Sequence, residues 1–243
     1  MPETKLENEL TYERLAAKGR ENQFHRNYEA AYAEVLGKLE NRYPNVVSGD
    51  PRYSKQGEFP DVCPFNTNII VGTFQKGTRE DVIDAVEASI GAQDSWEQTK
   101  VGRRCEMFVR AAEQMSRRKY EFAAWLTLEN GKNRFESVAE VDEAIDYLRY
   151  YPKVLREHEG YVLELDGPVP CTEARSVLRP LGTFGVISPF NFPIAITTGM
   201  VTGALITGNP VILKPPSDAP LMGHMLHSLL VENVVPPEAF HYV

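Results

Sequence analysis

The sequence predicts an α/β protein in which a helical N-terminal region leads into the first half of a doubly wound parallel, Rossmann-like sheet. Three observations predict it. Helical spacing dominates up to residue 156; a stretch rich in Gly and Pro interrupts it between Gly160 and Leu181; and from Thr183 onward apolar runs alternate with helix-compatible segments. A β-α-β-α-β order with right-handed crossovers builds a parallel sheet with helices on its faces. The chain accordingly divides into 1–158, 159–181 and 182–243. Three parallel strands ending abruptly at Val243 read as an incomplete domain with an open edge, a pattern that favours aggregation.

Each element has its own signature. Residues 7 to 41 carry Leu10, Leu15, Tyr28, Ala31, Tyr32, Val35, Leu36 and Leu39 at helical spacing with charges between them. Asn45-Val46-Val47 before Gly49-Asp50-Pro51 reads as a short strand and a turn, and residues 61 to 74 as extended chain. Thr78 with Asp81 forms a capping-box start, and Val82, Val86 and Ile90 are expected to give the helix its apolar face. A long helix is predicted through Phe108, Ala111, Ala112 and Met115, and another through Phe122, Ala123, Leu126 and Leu128, with Gly131 as its C-cap. A further helix covers 136 to 156, with Val138, Val141, Ile145 and Leu148 on one side.

Gly167-Pro168, Pro170 and Pro180 mark the middle stretch as a hairpin or extended excursion. Phe184-Gly185-Val186-Ile187-Ser188 and Pro210-Val211-Ile212-Leu213 read as buried parallel strands. Helices are expected over Ile194 to Ile206, ended by Gly208-Asn209, and over Asp218 to Val231, before a third strand from Phe240.

Composition excludes several classes. The chain has 243 residues, 42% hydrophobic and 25% charged, enough to bury a core without staples. Its 34 acidic and 26 basic side chains give a formal charge of −8, and no Lys/Arg run offers a nucleic-acid patch. No stretch approaches the roughly 18 apolar residues of a membrane helix. The charged N-terminus lacks a secretory h-region, and the early Glu3, Glu7, Glu9 and Glu13 argue against a mitochondrial presequence, which leaves the cytoplasm. Cys63, Cys105 and Cys171 are too few and too scattered for a disulfide framework or a zinc site. His224 and His227 lie three apart on a helix without an acid or Cys nearby, so no metal is expected.

In an open parallel sheet, ligands bind beyond the carboxyl ends of the strands. Ile187-Ser188-Pro189-Phe190-Asn191-Phe192-Pro193 sits there after the first strand, and Leu213-Lys214-Pro215-Pro216-Ser217 after the second. The first block, followed by Gly208-Asn209-Pro210-Val211-Ile212-Leu213-Lys214-Pro215, resembles the aldehyde dehydrogenase superfamily in sequence and in spacing. The resemblance covers nearly the whole chain, as the N-terminal portion of such an enzyme.

The resemblance implies roles. Asn191 would hold the oxygen of the aldehyde, a neutral N–H donor aimed at the negative charge of a tetrahedral intermediate; read by itself, it could equally cap the next helix. Lys214 would donate to the adenosine ribose of the cofactor, where an ammonium offers three donors; otherwise it is a solvated strand end. Ile187, Ser188, Pro189 and Phe190 would shape the nicotinamide side of the cleft or merely pack the strand end. Ser217 departs from the Glu that many NAD-preferring members carry three residues after this Lys. Being small and neutral, it leaves room for a 2′-phosphate, so the cofactor is NAD with NADP possible.

Glu140-Val141-Asp142-Glu143-Ala144-Ile145-Asp146-Tyr147-Leu148-Arg149-Tyr150-Tyr151 resembles a helix of the 1-pyrroline-5-carboxylate (glutamate-semialdehyde) dehydrogenases, as does the upstream layout around Tyr43-Pro44 and Trp96. That subgroup places Glu143 near the substrate, against the alternative of an exposed helical carboxylate, and makes Phe192 a wall for a short aliphatic chain. The implied reaction is oxidation of L-glutamate 5-semialdehyde to glutamate in proline degradation. The pyrophosphate loop, general-base Glu and nucleophilic Cys would lie beyond Val243, in a missing C-terminal half, and none of the three cysteines here matches the nucleophile's context. The bridging segment 159–181 implies a homo-oligomer, and the region before it the helical part of a cofactor-binding domain. Alternatives are a dehydrogenase for another short-chain aldehyde and a non-catalytic nucleotide-binding or assembly module.

Overall fold

The computed structural model describes residues 6, 10–167, 169, 172–232 and 235–243. Pro168, Pro170, Cys171 and the early Glu3, Glu7 and Glu9 lie outside the described residues. Helices α1 (Thr11–Ala16) and α2 (Glu21–Leu36) open the chain, followed by short strands β1 (Asn41–Tyr43), β2 (Asn45–Val47), β3 (Asp50–Arg52), β4 (Glu58–Val62) and β5 (Ile70–Gln75). Four helices follow: α3 (Arg79–Gln98), α4 (Val101–Arg117), α5 (Lys119–Asn130) and α6 (Arg134–Glu157). A hairpin of β6 (Val162–Leu165) and β7 (Ala174–Val177) leads to β8 (Phe184–Ile187), α7 (Ala195–Ile206), β9 (Val211–Lys214), α8 (Pro220–Glu232) and β10 (Phe240–Tyr242).

The helical spacing read between 7 and 41 is realised as two helices among the described residues. After α1 the backbone turns left-handed at Gly19 (φ 64°), and Arg20 N–H returns to Leu15 O (2.8 Å), closing the helix in the manner of a glycine C-cap. The capping box of α3 forms as expected: Asp81 N–H donates to Thr78 Oγ1 (3.1 Å) and Thr78 N–H to the Asp81 carboxylate (2.9 Å). Gly131 ends α5 in the left-handed conformation, φ 81°.

The apolar face expected of α3 is reversed. Val82, Val86 and Ile90 are exposed, Ile90 by 67%, whereas Asp81, Ala85, Ser89, Ala92 and Trp96 are buried. The inward residues are mostly small. They let α3 lie close against β2 and β9, which larger side chains would hold off.

The cofactor-type sheet also differs from the three parallel strands anticipated. It has five strands in the order β3-β2-β10-β9-β8. β8, β9 and β10 are parallel in register Phe184↔Val211↔Phe240, and β2 adds antiparallel to β10 at Val46↔Tyr242. The N-terminal hairpin β2–β3 thus covers one edge of the parallel set, while β8 remains at the other. A separate sheet, β1-β5-β4, stacks Tyr43 on Phe74 and meets α8 through His224.

One apolar core runs from Phe24 in α2 to Tyr242 in β10, drawing on α4, α5, α6, α7 and α8. α7 is buried nearly all round. Its C-terminal end is held by two side chains: Trp96 Nε1 donates to Leu205 O (3.0 Å) and Arg104 Nε to Ile206 O (2.8 Å). Arg104 also donates to the carbonyls of Trp96 (3.2 Å), Glu97 (3.0 Å) and Thr99, so a buried guanidinium is satisfied by carbonyls rather than by a carboxylate. Among the described residues no helix is long and apolar enough to cross a membrane.

Candidate active site

The parallel strands end together at Ile187, Lys214 and Tyr242, and two adjoining clefts open there. One, of about 540 Å³, is lined by Lys214, Pro215, Ser217, Asp218, Tyr242 and Val243 among others. The second, of about 580 Å³, includes Asp61, Asn130, Lys132, Phe190 and Asn191. Ser217 and Asp218 line both. The two sequence blocks at the strand ends are therefore neighbours across one loop.

Asn191 lies in the turn between β8 and α7. It does not cap α7. The first turn of that helix is capped by Glu140 of α6, whose Oε1 accepts from Ile194 N–H (3.0 Å) and Ala195 N–H (3.2 Å). The buried carboxylate's other oxygen pairs with Lys132 Nζ. Glu140 answers the positive end of the α7 dipole as well as its orphan N–H groups. The Asn191 amide is left exposed and without a hydrogen bond among the described residues.

The same pattern recurs at α8. Both oxygens of Glu129, at the end of α5, accept from the first turn of α8, at Leu221 N–H and Met222 N–H (3.2 Å). Glu129 is wholly buried, and burial, with the nearby Asp61 carboxylate, pushes its carboxyl well above the usual range. Burial likewise raises Asp61 to about 7. The two acids line the second cleft together, and the Asp61 charge adds to burial in disfavouring the ionised form of Glu129.

Glu129-Asn130-Gly131-Lys132 thus borders the second cleft, and of these only Gly131 stands out in the sequence. Asn130 Nδ2 donates to Phe190 O (2.8 Å), and Lys132 Nζ sits 3.7 Å from the centroid of the Phe192 ring. The available signal was an acid, an amide and a Lys flanking a C-cap glycine, close to a helix end where side chains leave in different directions.

Of the residues singled out in the sequence, Phe190, Asn191 and Ser217 share the second cleft, and Lys214 and Ser217 the first. Lys214 is exposed and makes no hydrogen bond or ion pair through its side chain among the described residues. Ser188 is buried with no partner for its hydroxyl, Pro189 is half-buried, and Ile187 is 76% exposed on the edge strand. Phe192 lies under Lys132. Glu143 is half-buried on α6 and accepts from Tyr147 Oη (3.3 Å); it lines neither cleft. Cys63 and Cys105 are free and buried. His224 and His227 pack against Tyr43, Phe240 and Tyr242, and among the described residues no group of three or more His, Cys, Asp or Glu could hold a metal.

A dinucleotide requires donors for ribose hydroxyls, N–H groups for a pyrophosphate and a wall for its rings. Lys214 and the Ser217 hydroxyl suit the first. A helix N-terminus is the usual answer to the second, but α7 and α8 have theirs filled by Glu140 and Glu129. The residues therefore fit the ribose end, and a pyrophosphate has to be received elsewhere.

Residues 52–243 match the aldehyde dehydrogenase family. The 1-pyrroline-5-carboxylate dehydrogenase of Staphylococcus saprophyticus is 32% identical over 219 residues, 89% of this chain and 42% of that protein. That of Geobacillus thermodenitrificans is 34% identical over 215 residues, 88% of this chain and 41% of its own. The crystal structure of 1-pyrroline-5-carboxylate dehydrogenase from Thermus with bound NAD matches with a TM-score of 0.85 at 32% identity, covering 90% of this chain and 42% of that one. Proline utilization A from Bdellovibrio bacteriovorus, inactivated by N-propargylglycine, also gives 0.85 at 29% identity, over 89% of this chain and 22% of that one. The chain spans about 42% of the length of the curated relatives it matches.

Proposed function

The chain belongs to the aldehyde dehydrogenase family, and on that premise we propose that it forms the N-terminal portion of a cytoplasmic enzyme oxidising L-glutamate 5-semialdehyde to glutamate with NAD(P). The observation that carries the proposal is Asn191. Its amide faces a cleft at the strand ends, unspent on the helix it precedes, between two neighbours that are themselves held. A neutral donor of this kind, carried on a turn held on both sides, stabilises an oxygen that becomes negative without giving it a proton.

Lys214 and Ser217 would hold the adenosine ribose, with Ile187, Ser188, Pro189 and Phe190 beside the nicotinamide and Phe192 toward the aldehyde chain; Glu143, held by Tyr147 outside both clefts, is assigned no contact there. A bound nicotinamide cofactor supplies the hydride acceptor; this chain's residues bind and orient. Ser217 leaves room for a 2′-phosphate, but the Asp218 carboxylate lines the same cleft and opposes one, so NAD should be used better than NADP. The β6–β7 hairpin, with Leu163 and Leu165 exposed, suits assembly of like subunits. The nucleophile, general base and pyrophosphate site would come from the remainder of a longer polypeptide.

The test is expression of the longest polypeptide carrying this sequence, assayed for NAD(P) reduction with glutamate semialdehyde. Asn191→Ala should lower kcat by about 10²–10³-fold, the typical cost of one oxyanion donor. No aldehyde-dependent reduction by the parent, or full kcat in the variant, overturns the reading.

A further inference from the structure

We infer that Asn130, Lys132 and Glu140 are positioning residues for Asn191, holding the two sides of its turn so that the amide is fixed in the cleft; the inference rests on the functional reading above. The turn from Ser188 to Ile194 belongs to no strand or helix and would be free to move as a loop. It is gripped on both flanks by side chains from one short piece of chain and the helix after it. On the side before Asn191, Asn130 donates to the carbonyl of Phe190 (2.8 Å). On the side after it, the half-buried Lys132 lies 3.7 Å over the exposed Phe192 ring, a cation–π contact. Beyond that, Glu140 accepts from Ile194 N–H and Ala195 N–H while paired to Lys132.

Two of the three contacts are connected. Lys132 reaches both Phe192 and Glu140, so loss of the carboxylate frees the ammonium as well as the helix start. Glu140 is buried, which makes its pairing obligatory and its placement rigid. The consequence for Asn191 follows from what the clamp replaces. An asparagine just ahead of a helix ordinarily turns its side chain inward to cap it; because Glu140 occupies those N–H groups, the Asn191 amide has no cap to make. A displacement of about 1 Å of a donor in a reacting site can lower the rate by about 10²-fold, so the clamp controls kcat although none of its members needs to touch substrate.

The experiment uses the longest polypeptide carrying this sequence and four variants: Asn130→Ala, Glu140→Gln, Asn191→Ala and Asn130→Ala/Asn191→Ala. The expected result is a fall in kcat of about ten-fold for Asn130→Ala and more for Glu140→Gln. The dissociation constant for NAD, measured by fluorescence titration, should stay within two-fold. In the Asn191→Ala background, adding Asn130→Ala should change kcat by less than two-fold, because a residue acting only through Asn191 has nothing left to position. Asn130→Asp, which keeps the shape but removes the donor, should behave as Asn130→Ala. Unchanged kcat in Asn130→Ala, or an equal fall with and without Asn191, overturns the inference while leaving the functional reading intact. A parent that oxidises no aldehyde overturns both.

Discussion

Two regions of this molecule treat similar side chains in opposite ways. Around α7 and α8 the helix ends are met by buried groups from distant parts of the chain: Glu140, Glu129, Trp96 and Arg104. Along β8 and the approach to it, large apolar side chains face water, with Leu178 67%, Leu181 88% and Ile187 76% exposed. β8 is as apolar as β9, which is buried. The difference teaches that hydropathy assigns a strand to a sheet but not to a place in it. β9 is interior because β8 and β10 flank it; β8 is at an edge because no strand among the described residues pairs its outer side. An open apolar edge is what a further strand or another chain would cover.

The comparison breaks most readily at Arg104. Arg104→Met should cost about 3–5 kcal/mol, since it strands carbonyls at the ends of α3 and α7 in a dry interior. Urea unfolding measures it, and a loss under about 1 kcal/mol would show that the helix ends do not need their caps.

The Asp61–Glu129 pair gives the next effect, with a sign. Asp61 titrates near 7 in the fold against 3.8 in an open chain. The folded state therefore binds the proton more tightly, and stability from this group is present at acid pH and lost as pH rises from about 4 through about 7. Relative to the parent, Asp61→Asn should gain about 2–4 kcal/mol between pH 4.5 and pH 8. Reading the variant against the parent at each pH removes the opposing influence of the buried His227 and His241, which burial holds at about 3 and about 4. A difference that is flat with pH would mean that the pair is hydrated.

The open region should be the quietest. Leu178→Ser and Leu181→Ser should shift stability by less than about 0.5 kcal/mol, as exposed substitutions do, while reducing self-association in sedimentation velocity. A large destabilisation would place these side chains in a core after all.

What was legible in the sequence was mostly local. The Thr78–Asp81 capping box, the glycine cap at Gly131 and the turn at Gly208-Asn209 each depend on groups a few residues apart. Asn209 illustrates the limit of that reading. Its amide donates to Ala204 O (3.2 Å) nearby, but its carbonyl accepts from Leu181 N–H (2.7 Å) and Gly182 N–H (3.0 Å), 28 and 27 residues back. The strand-end blocks with Asn191 and Lys214 were equally readable, and they do meet across one loop. The supports beneath them were not. Nothing local marks Glu140 and Glu129 as caps, because the N–H groups they cap lie 54 and 92 residues further on.

By itself the sequence determined the order of elements from α3 onward, the parallel character of β8, β9 and β10, and the identity of the two strand-end blocks, since periodicity and short-range hydrogen bonding are properties of neighbouring residues. Only the tertiary structure decided which face of α3 is inward, that β2 and β3 close one side of the sheet, and that Glu140 rather than Asn191 caps α7. Those outcomes depend on how closely surfaces can approach and on which buried donors remain unpaired once they have, and both are settled only when distant segments meet.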